Sequence, residues 1–398
     1  MKSNEKNYSN IFLRIICCVL CVTFVLPVYF VPIGATKAES ESVGKGIDLN
    51  CKSAVLMEAS TGEILYEKNA NEALSPASVT KVMTLLLVME AIEAGKIKYT
   101  DTVRASANAC SMGGSQIYLE ENEEMTVEDL VKSVVIASAN DAAVALAEYI
   151  SGTEEAFVEQ MNKKAEMLGM KNTFFENTNG LDDTVENHLT SALDIAIMSR
   201  ELIKYPKITE YSSIWMDSIR NGEFGLTNTN RLVRFYKGAI GLKTGSTSKA
   251  GCCISAVAKR DGMTLICVIM GAESRDIRNA AAVSLLDYGF ANYGVYTSEG
   301  EMIENISVVK GTQAKLNVEY KGSSFVLPKG EIGRVEISKL IPEKLNAPVS
   351  KGETVGKAIY KIGEKEIGQA NIVACESVEK ISFGSMLAEF FKKCAFIF

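Results

Sequence analysis

The chain has 398 residues, 47% of them hydrophobic and 23% charged, with a net charge of −7 and one histidine, His188. That balance describes a globular protein with a full core and room for two or more domains. The acidic surplus argues against nucleic acid as a partner, and one histidine excludes a histidine-rich metal site.

The N-terminus reads as a leader, not as part of the fold. Lys2, Lys6 and Arg14 precede an uncharged apolar run over residues 15–33, and Gly34-Ala35-Thr36-Lys37-Ala38 follows. Basic, apolar, then small is the pattern of a secretory signal over residues 1–38, with Thr36 and Ala38 at −3 and −1 of a cut. The apolar run is long, so an uncleaved anchor is the alternative. Seven cysteines remain beyond the run, odd in number and scattered, with no Cys-x-x-Cys zinc spacing among them. Cys252, Cys253 and Cys267 lie in apolar strand-like runs, where cysteine serves as a small hydrophobe. No metal and no cofactor are expected.

Residues 53–58 and 63–67 read as strands of a hairpin around Ser60-Thr61-Gly62. Ser75-Pro76-Ala77-Ser78-Val79-Thr80-Lys81 then opens a helix. Pro76 suits its start, the run from Val82 is long and apolar, and Gly95 stops it. Thr126 and Asp129 form a capping start for a helix reaching about Ile150, and Ser191 with Asp194 starts another. Residues 238–245, 252–257 and 264–270 are strand-like, with Arg260-Asp261-Gly262 as a turn, and 274–293 reads as a closing helix. The last two of those strands alternate little, as strands buried on both faces do.

The order of hairpin, helices, hairpin and helix predicts an α+β fold. An antiparallel sheet is made from both ends of residues 45–297, with a helical subdomain inserted between. From about residue 298 short strand-like runs at 303–309, 314–320, 324–327, 333–337 and 357–362, separated by Gly, Lys and Pro, predict a small all-β domain over 300–376. In the final stretch, 381–398, apolar residues fall at 383, 386, 387, 390, 391, 394, 397 and 398. That spacing predicts an amphipathic helix, either docked on the body or lying in a membrane surface; its Phe-rich face and Lys392 and Lys393 favour the membrane.

Three short motifs stand out. In Ser78-Val79-Thr80-Lys81 the serine and lysine share one helix face, so a buried, neutral Lys81 would be a base beside a nucleophile. Ser138-Ala139-Asn140 falls where the pattern reads as helix; a catalytic role needs a turn or break there. Lys243-Thr244-Gly245-Ser246 lies at a strand edge. Each motif alone is common by chance. Together they appear in order, 60 and 105 residues apart.

This set resembles the active-site serine penicillin-recognising enzymes, and more narrowly the low-molecular-mass D-alanyl-D-alanine carboxypeptidases. The blocks 75–84, 157–181 and 188–194, the β domain and the amphipathic tail are similar to that family as well. The fold implied is β-lactamase/transpeptidase-like. The resemblance implies an exported enzyme on the outer face of the cytoplasmic membrane, held there by its C-terminal helix. Its substrate would be the peptidoglycan pentapeptide ending in D-Ala-D-Ala, and β-lactam antibiotics would be covalent inhibitors. Ser78 would be the nucleophile, Lys81 its base, and Ser138 a proton relay to the leaving amine. Asn140 would hold the substrate amide and Lys81; Lys243 and Thr244 would meet the terminal carboxylate. The N–H groups of Ser78 and Ser246 would form an oxyanion hole, and Gly245 would let the substrate lie close. The block before Lys243 reads Asn228-Thr229-Asn230 with Arg231 after it, where some relatives place an arginine between the asparagines; Arg231 is therefore left out of the site. His188 reads as structural. A β-lactamase of class A type and a penicillin-acylated sensor without turnover are the competing functions.

Overall fold

The computed structural model describes residues 47–183, 185–384, 386, 387 and 391. The leader expected over 1–38, and most of 388–398, lie outside the described residues. Among those described, no helix is long and apolar enough to cross a membrane.

A five-stranded antiparallel sheet forms the backbone of the first part. Its strands are β1 (Ser53–Glu58), β2 (Ile64–Lys68), β3 (Ala239–Thr247), β4 (Gly251–Arg260) and β5 (Met263–Ala272). Their order is β2-β1-β5-β4-β3, so the two chain ends of this region do join in one sheet. The β4–β5 turn places Asp261 and Gly262 at φ of 49° and 79°. Two positive φ values in a row are the two-residue hairpin turn whose twist suits the strands. β3 is an edge strand, paired within the sheet on one side only, with β4.

Both faces of the sheet are covered. Val55, Val257 and Val268 face one core with the central helix α1 (Lys81–Glu93). Their chain neighbours Leu56, Ala256 and Cys267 face the other, with Leu285 and Leu286 of the closing helix α6 (Arg275–Asn292). Successive side chains alternate faces, so a strand buried on both reads as a continuous apolar run. The six described cysteines are thiols, and Cys252, Cys253 and Cys267 pack in these cores.

Between β2 and β3 lie α1, α2 (Val127–Lys132), α3 (Asn140–Ser151), α4 (Glu154–Met167) and α5 (Ala192–Leu202). α1 is buried almost all round, which fits its unbroken apolar sequence. Thr126 caps α2 by accepting from Asp129 N at 3.1 Å, and Ser191 caps α5 by accepting from Asp194 N at 3.1 Å. Such caps contribute about 1 kcal/mol each. The single helix expected from Thr126 to Ile150 is interrupted. A π-helical turn, Ser133–Ala137, ends at Ser138, whose φ of 64° and ψ of 30° are left-handed. The chain restarts as α3, so apolar periodicity continues across a break it cannot reveal.

The second part is all β. β6 (Tyr293–Thr297) pairs with β9 (Ser324–Pro328). A six-stranded sheet joins β7 (Gly300–Val309), β8 (Lys315–Lys321), β10 (Val335–Leu340), β11 (Lys344–Asn346), β12 (Thr354–Ile362) and β13 (Lys365–Ala374), in the order β10-β12-β13-β8-β7-β11. β6, β11 and β13 fall outside the strand-like runs expected from sequence. β13 carries Gly368, Gln369 and Asn371 among its apolar residues, which blurs its alternation. Gly333 belongs to a short helical turn, Ile332–Arg334, rather than to a strand.

Candidate active site

Ser78 sits in a 3₁₀ turn, Ala77–Thr80, that feeds straight into α1. Ala77 is held at φ 49°, an unfavourable value for a residue with a Cβ. Gly180 lies directly against this turn: a Cβ there would lie 1.9 Å from Ala77 O. Asn177 closes this loop by accepting from Gly180 N at 2.7 Å. The loop is thereby pressed onto the serine turn, and its Asn179 carbonyl faces Lys81.

Lys81 is fully buried. Its Nζ lies 2.9 Å from Ser78 Oγ and donates to Asn140 Oδ1 at 2.5 Å and to Asn179 O at 2.8 Å. Among the described residues, no carboxylate pairs with it. Burial, with the positive Lys243 nearby, holds its pKa well below the usual lysine range, against a smaller opposing pull from Asp141. A neutral amine has two N–H donors and one lone pair. The two donors go to Asn140 and Asn179, and the lone pair is left for the Ser78 hydroxyl.

Asn140 is fixed by Nδ2 donating to Gly113 O at 2.7 Å and by its backbone N donating to Ser115 O at 2.7 Å. Asp141, also buried, accepts from Ile117 N and Leu119 N and holds the rest of that loop. The break before α3 turns Ser138 toward β3. There Lys243 Nζ donates to Ser138 Oγ at 2.8 Å and to Thr244 O at 2.9 Å. Lys243 is 1% exposed, and burial and the nearby Arg278 lower its pKa to about 7. Gly245 brings β3 against the serine turn: a Cβ would stand 2.7 Å from Pro76 O and 2.9 Å from Ser78 N.

Ser78, Ser138, Thr244, Gly245 and Ser246 line one cavity of about 360 Å³. The three motifs therefore converge, although they are far apart in sequence. Arg231, Arg275 and Arg278 also line it, and no Asp or Glu does. In an acidic protein this is a local positive pocket, suited to an anionic group.

Several residues that line or brace the site were not among its expected members. Thr229 Oγ1 accepts from Thr244 Oγ1 at 2.8 Å. Its neighbours are the clamps: Asn228 Nδ2 donates to Ser212 O and Ile214 O, and Asn230 Nδ2 donates to Gly241 O. Arg231 is exposed, with its guanidinium 5.8 Å from the Phe235 ring. Arg278 is 3% exposed, and among the described residues its guanidinium has no carboxylate partner within ion-pair distance. A signal for it existed: residues 278, 281, 282, 285 and 286 form one buried stripe of α6, so its arginine had to face inward.

His188 is buried away from this chemistry. Its Nδ1 accepts from Glu176 N at 3.0 Å, so Nε2 carries the proton that reaches Thr80 Oγ1 at 2.7 Å. Burial lowers its pKa to about 4, leaving a neutral structural link. Glu176 accepts from Asn187 N at 2.7 Å, a loop contact.

Residues 36–274 match the family model described as D-alanyl-D-alanine carboxypeptidase, and residues 295–380 match that of the penicillin-binding protein 5 C-terminal domain. The chain is 44% identical over 343 residues to D-alanyl-D-alanine carboxypeptidase DacF of Bacillus subtilis, covering 84% of this chain and 88% of the relative. It is similar to the crystal structure of penicillin binding protein 5 from Haemophilus influenzae, with a TM-score of 0.76 and 32% identity over 85% of this chain and all of that one. Penicillin-binding protein D2 from Listeria monocytogenes, solved in an ampicillin-bound form, is similar with a TM-score of 0.57 and 30% identity over 61% of this chain and 99% of that one.

Proposed function

The chain belongs to the D-alanyl-D-alanine carboxypeptidase family, and from that premise we propose that it removes the terminal D-alanine from peptidoglycan stem peptides through an acyl-enzyme on Ser78. The observation that carries the reading is the hydrogen-bond inventory of Lys81. Its two donors are occupied and its pKa is lowered, so its lone pair meets Ser78 Oγ at 2.9 Å. Lys81 takes the serine proton as Oγ attacks the penultimate carbonyl. The N–H groups of Ser78 and Ser246 stabilise the oxyanion. Ser138, polarised by Lys243, relays a proton to the departing D-alanine amine. Asn140 binds the substrate amide. The substrate lies along the open edge of β3, where Gly245 permits close approach. Its terminal carboxylate meets Thr244 and the charges of Lys243 and Arg278. Water then releases the acyl group. β-Lactams, whose ring amide mimics the scissile bond, acylate the same serine.

Residues 45–297 act as the catalytic domain, with its helical subdomain inserted between the two parts of the sheet, and 300–376 as the β domain that holds it off the membrane. The enzyme works outside the cytoplasmic membrane after export by residues 1–38, with 381–398 as a peripheral anchor. Exposure of Phe383, Met386, Leu387 and Phe391 supports that anchor. Deleting 381–398 is expected to release the protein from membranes; retention would point to the N-terminal run.

The deciding experiment measures D-alanine release from a D-Ala-D-Ala peptide by the purified protein and by Ser78→Ala. No release by the parent would sink the assignment. Rapid penicillin hydrolysis in place of a long-lived acyl-enzyme would favour a β-lactamase, and acylation without peptide turnover a sensor.

A further inference from the structure

Three pieces of chain meet beside Ser78: the turn 75–78, the loop 177–182 and the C-terminal end of β3. Gly245 and Gly180 close two sides of this triangle by backbone contact, against Pro76 and Ala77. A carboxylate closes the third. Asp182 Oδ2 accepts from Ser75 Oγ at 3.0 Å and from Thr247 Oγ1 at 2.5 Å. Thr247 Oγ1 in turn accepts from Ala250 N at 3.0 Å, which ties in the turn beyond the strand. Ser75 is buried, and Asp182 and Thr247 are half-buried.

We infer that Asp182 is a positioning residue that sets the gap of the oxyanion hole. The inference rests on the reading of Ser78 as nucleophile, with the N–H groups of Ser78 and Ser246 as oxyanion donors. Those donors belong to different elements, and nothing in local secondary structure fixes their separation. Ser75 is three residues from one donor, and Thr247 is adjacent to the other. A single oxygen that accepts from both side chains spans the gap. An ionised acceptor makes such bonds roughly twice as strong as a neutral one does. The loop that carries Asp182 also presents Asn179 O to Lys81. Base and oxyanion donors thus share one support. A misplacement of about 1 Å in such a constellation costs roughly 100-fold in rate.

The test uses the full chain and its Asp182→Ala, Asp182→Asn, Thr247→Val and Thr247→Ser variants. D-Alanine release is normalised to sites titrated by penicillin, and inhibition by a boronic acid analogue of the tetrahedral intermediate is measured beside it. Asp182→Ala and Thr247→Val are expected to lower kcat by about 10- to 100-fold with KM within about threefold, and to weaken the boronate by a similar factor. Asp182→Asn falls between, and Thr247→Ser, which keeps the hydroxyl, stays within about threefold of the parent. A lower melting temperature with unchanged kcat per titrated site, or a rise in KM alone, overturns the inference. Should Asp182→Ala not fold, Thr247→Val against Thr247→Ser decides alone. A parent protein that penicillin does not acylate at Ser78 removes the nucleophile assignment itself, and this inference with it; that is seen before any variant is made.

Discussion

The catalytic body and the C-terminal β domain bury different kinds of side chain. Among the described residues, every buried charged or strongly polar residue lies between Ser53 and Arg278, including Lys81, Asn140, Asp141, Lys243 and Arg278. The β domain buries Leu316, Val318, Ala358 and Ile372 around an apolar core. Its one oddity is Tyr360, fully buried with a hydroxyl that has no hydrogen-bond partner among the described residues. A buried lysine costs stability, because burial disfavours its charged form. The body carries two and a buried arginine where the cavity lies; the β domain has no such cluster. Desolvated positive charge, on Lys81, Lys243 and Arg278, is therefore what singles out the candidate site in this chain.

Substitutions can break that contrast. The largest effect is expected at Ser78: Ser78→Ala should reduce D-alanine release at least about a thousandfold and abolish penicillin labelling on a gel. An equally small change in the other domain, Tyr360→Phe, should leave turnover within about twofold. Gly180→Ala comes next. Its Cβ would overlap Ala77 O, and its φ of 83° disfavours any side chain, so a loss of more than about 2 kcal/mol is expected in denaturant melts, together with lower activity.

The pH dependence separates the two lysines. On the proposed mechanism, activity needs Lys81 neutral and Lys243 charged. With Lys243 lowered to about 7, kcat/KM should fall as pH rises past that value. Lys243→Arg should move the alkaline limb up by at least about one unit, since arginine keeps its charge. Stability should run the other way. Between about pH 7 and the ordinary lysine range near 10.4, the unfolded chain binds more protons at residue 243 than the folded one, so stability rises with pH there and is lost as pH falls toward 7. Lys243→Met should flatten that slope in thermal melts at pH 7, 8.5 and 10. The smallest effect is the stability of Tyr360→Phe: removing an unpartnered hydroxyl should raise stability by about 1 kcal/mol, read as a higher melting temperature of the β domain.

Much of the fold was legible in sequence because the signals were local. Ser191 and Thr126 cap helices where their spacing predicts, Asp261-Gly262 makes the turn, and the paired apolar runs are the central strands. The break at Ser138 was not legible. Val134, Val135 and Ile136 keep facing the core through the π-helical turn, so apolar periodicity continues while the backbone does not. Likewise β13 was hidden by its glycine and amides, which weaken alternation without preventing pairing.

The site divides in the same way. The sequence by itself determined which residue types could do the chemistry, since Ser78 and Lys81 are one helical turn apart and that proximity needs no tertiary contact. Only the tertiary structure decided that Lys81 is buried, that its donors go to Asn140 and Asn179, and that Lys243 reaches Ser138. Arg278 and Asp182 belong to this second group, because each acts across elements separated by tens of residues or more. Short-range geometry is written in residue spacing; the burial that shifts a pKa and the gap between two N–H donors exist only once distant segments have packed together.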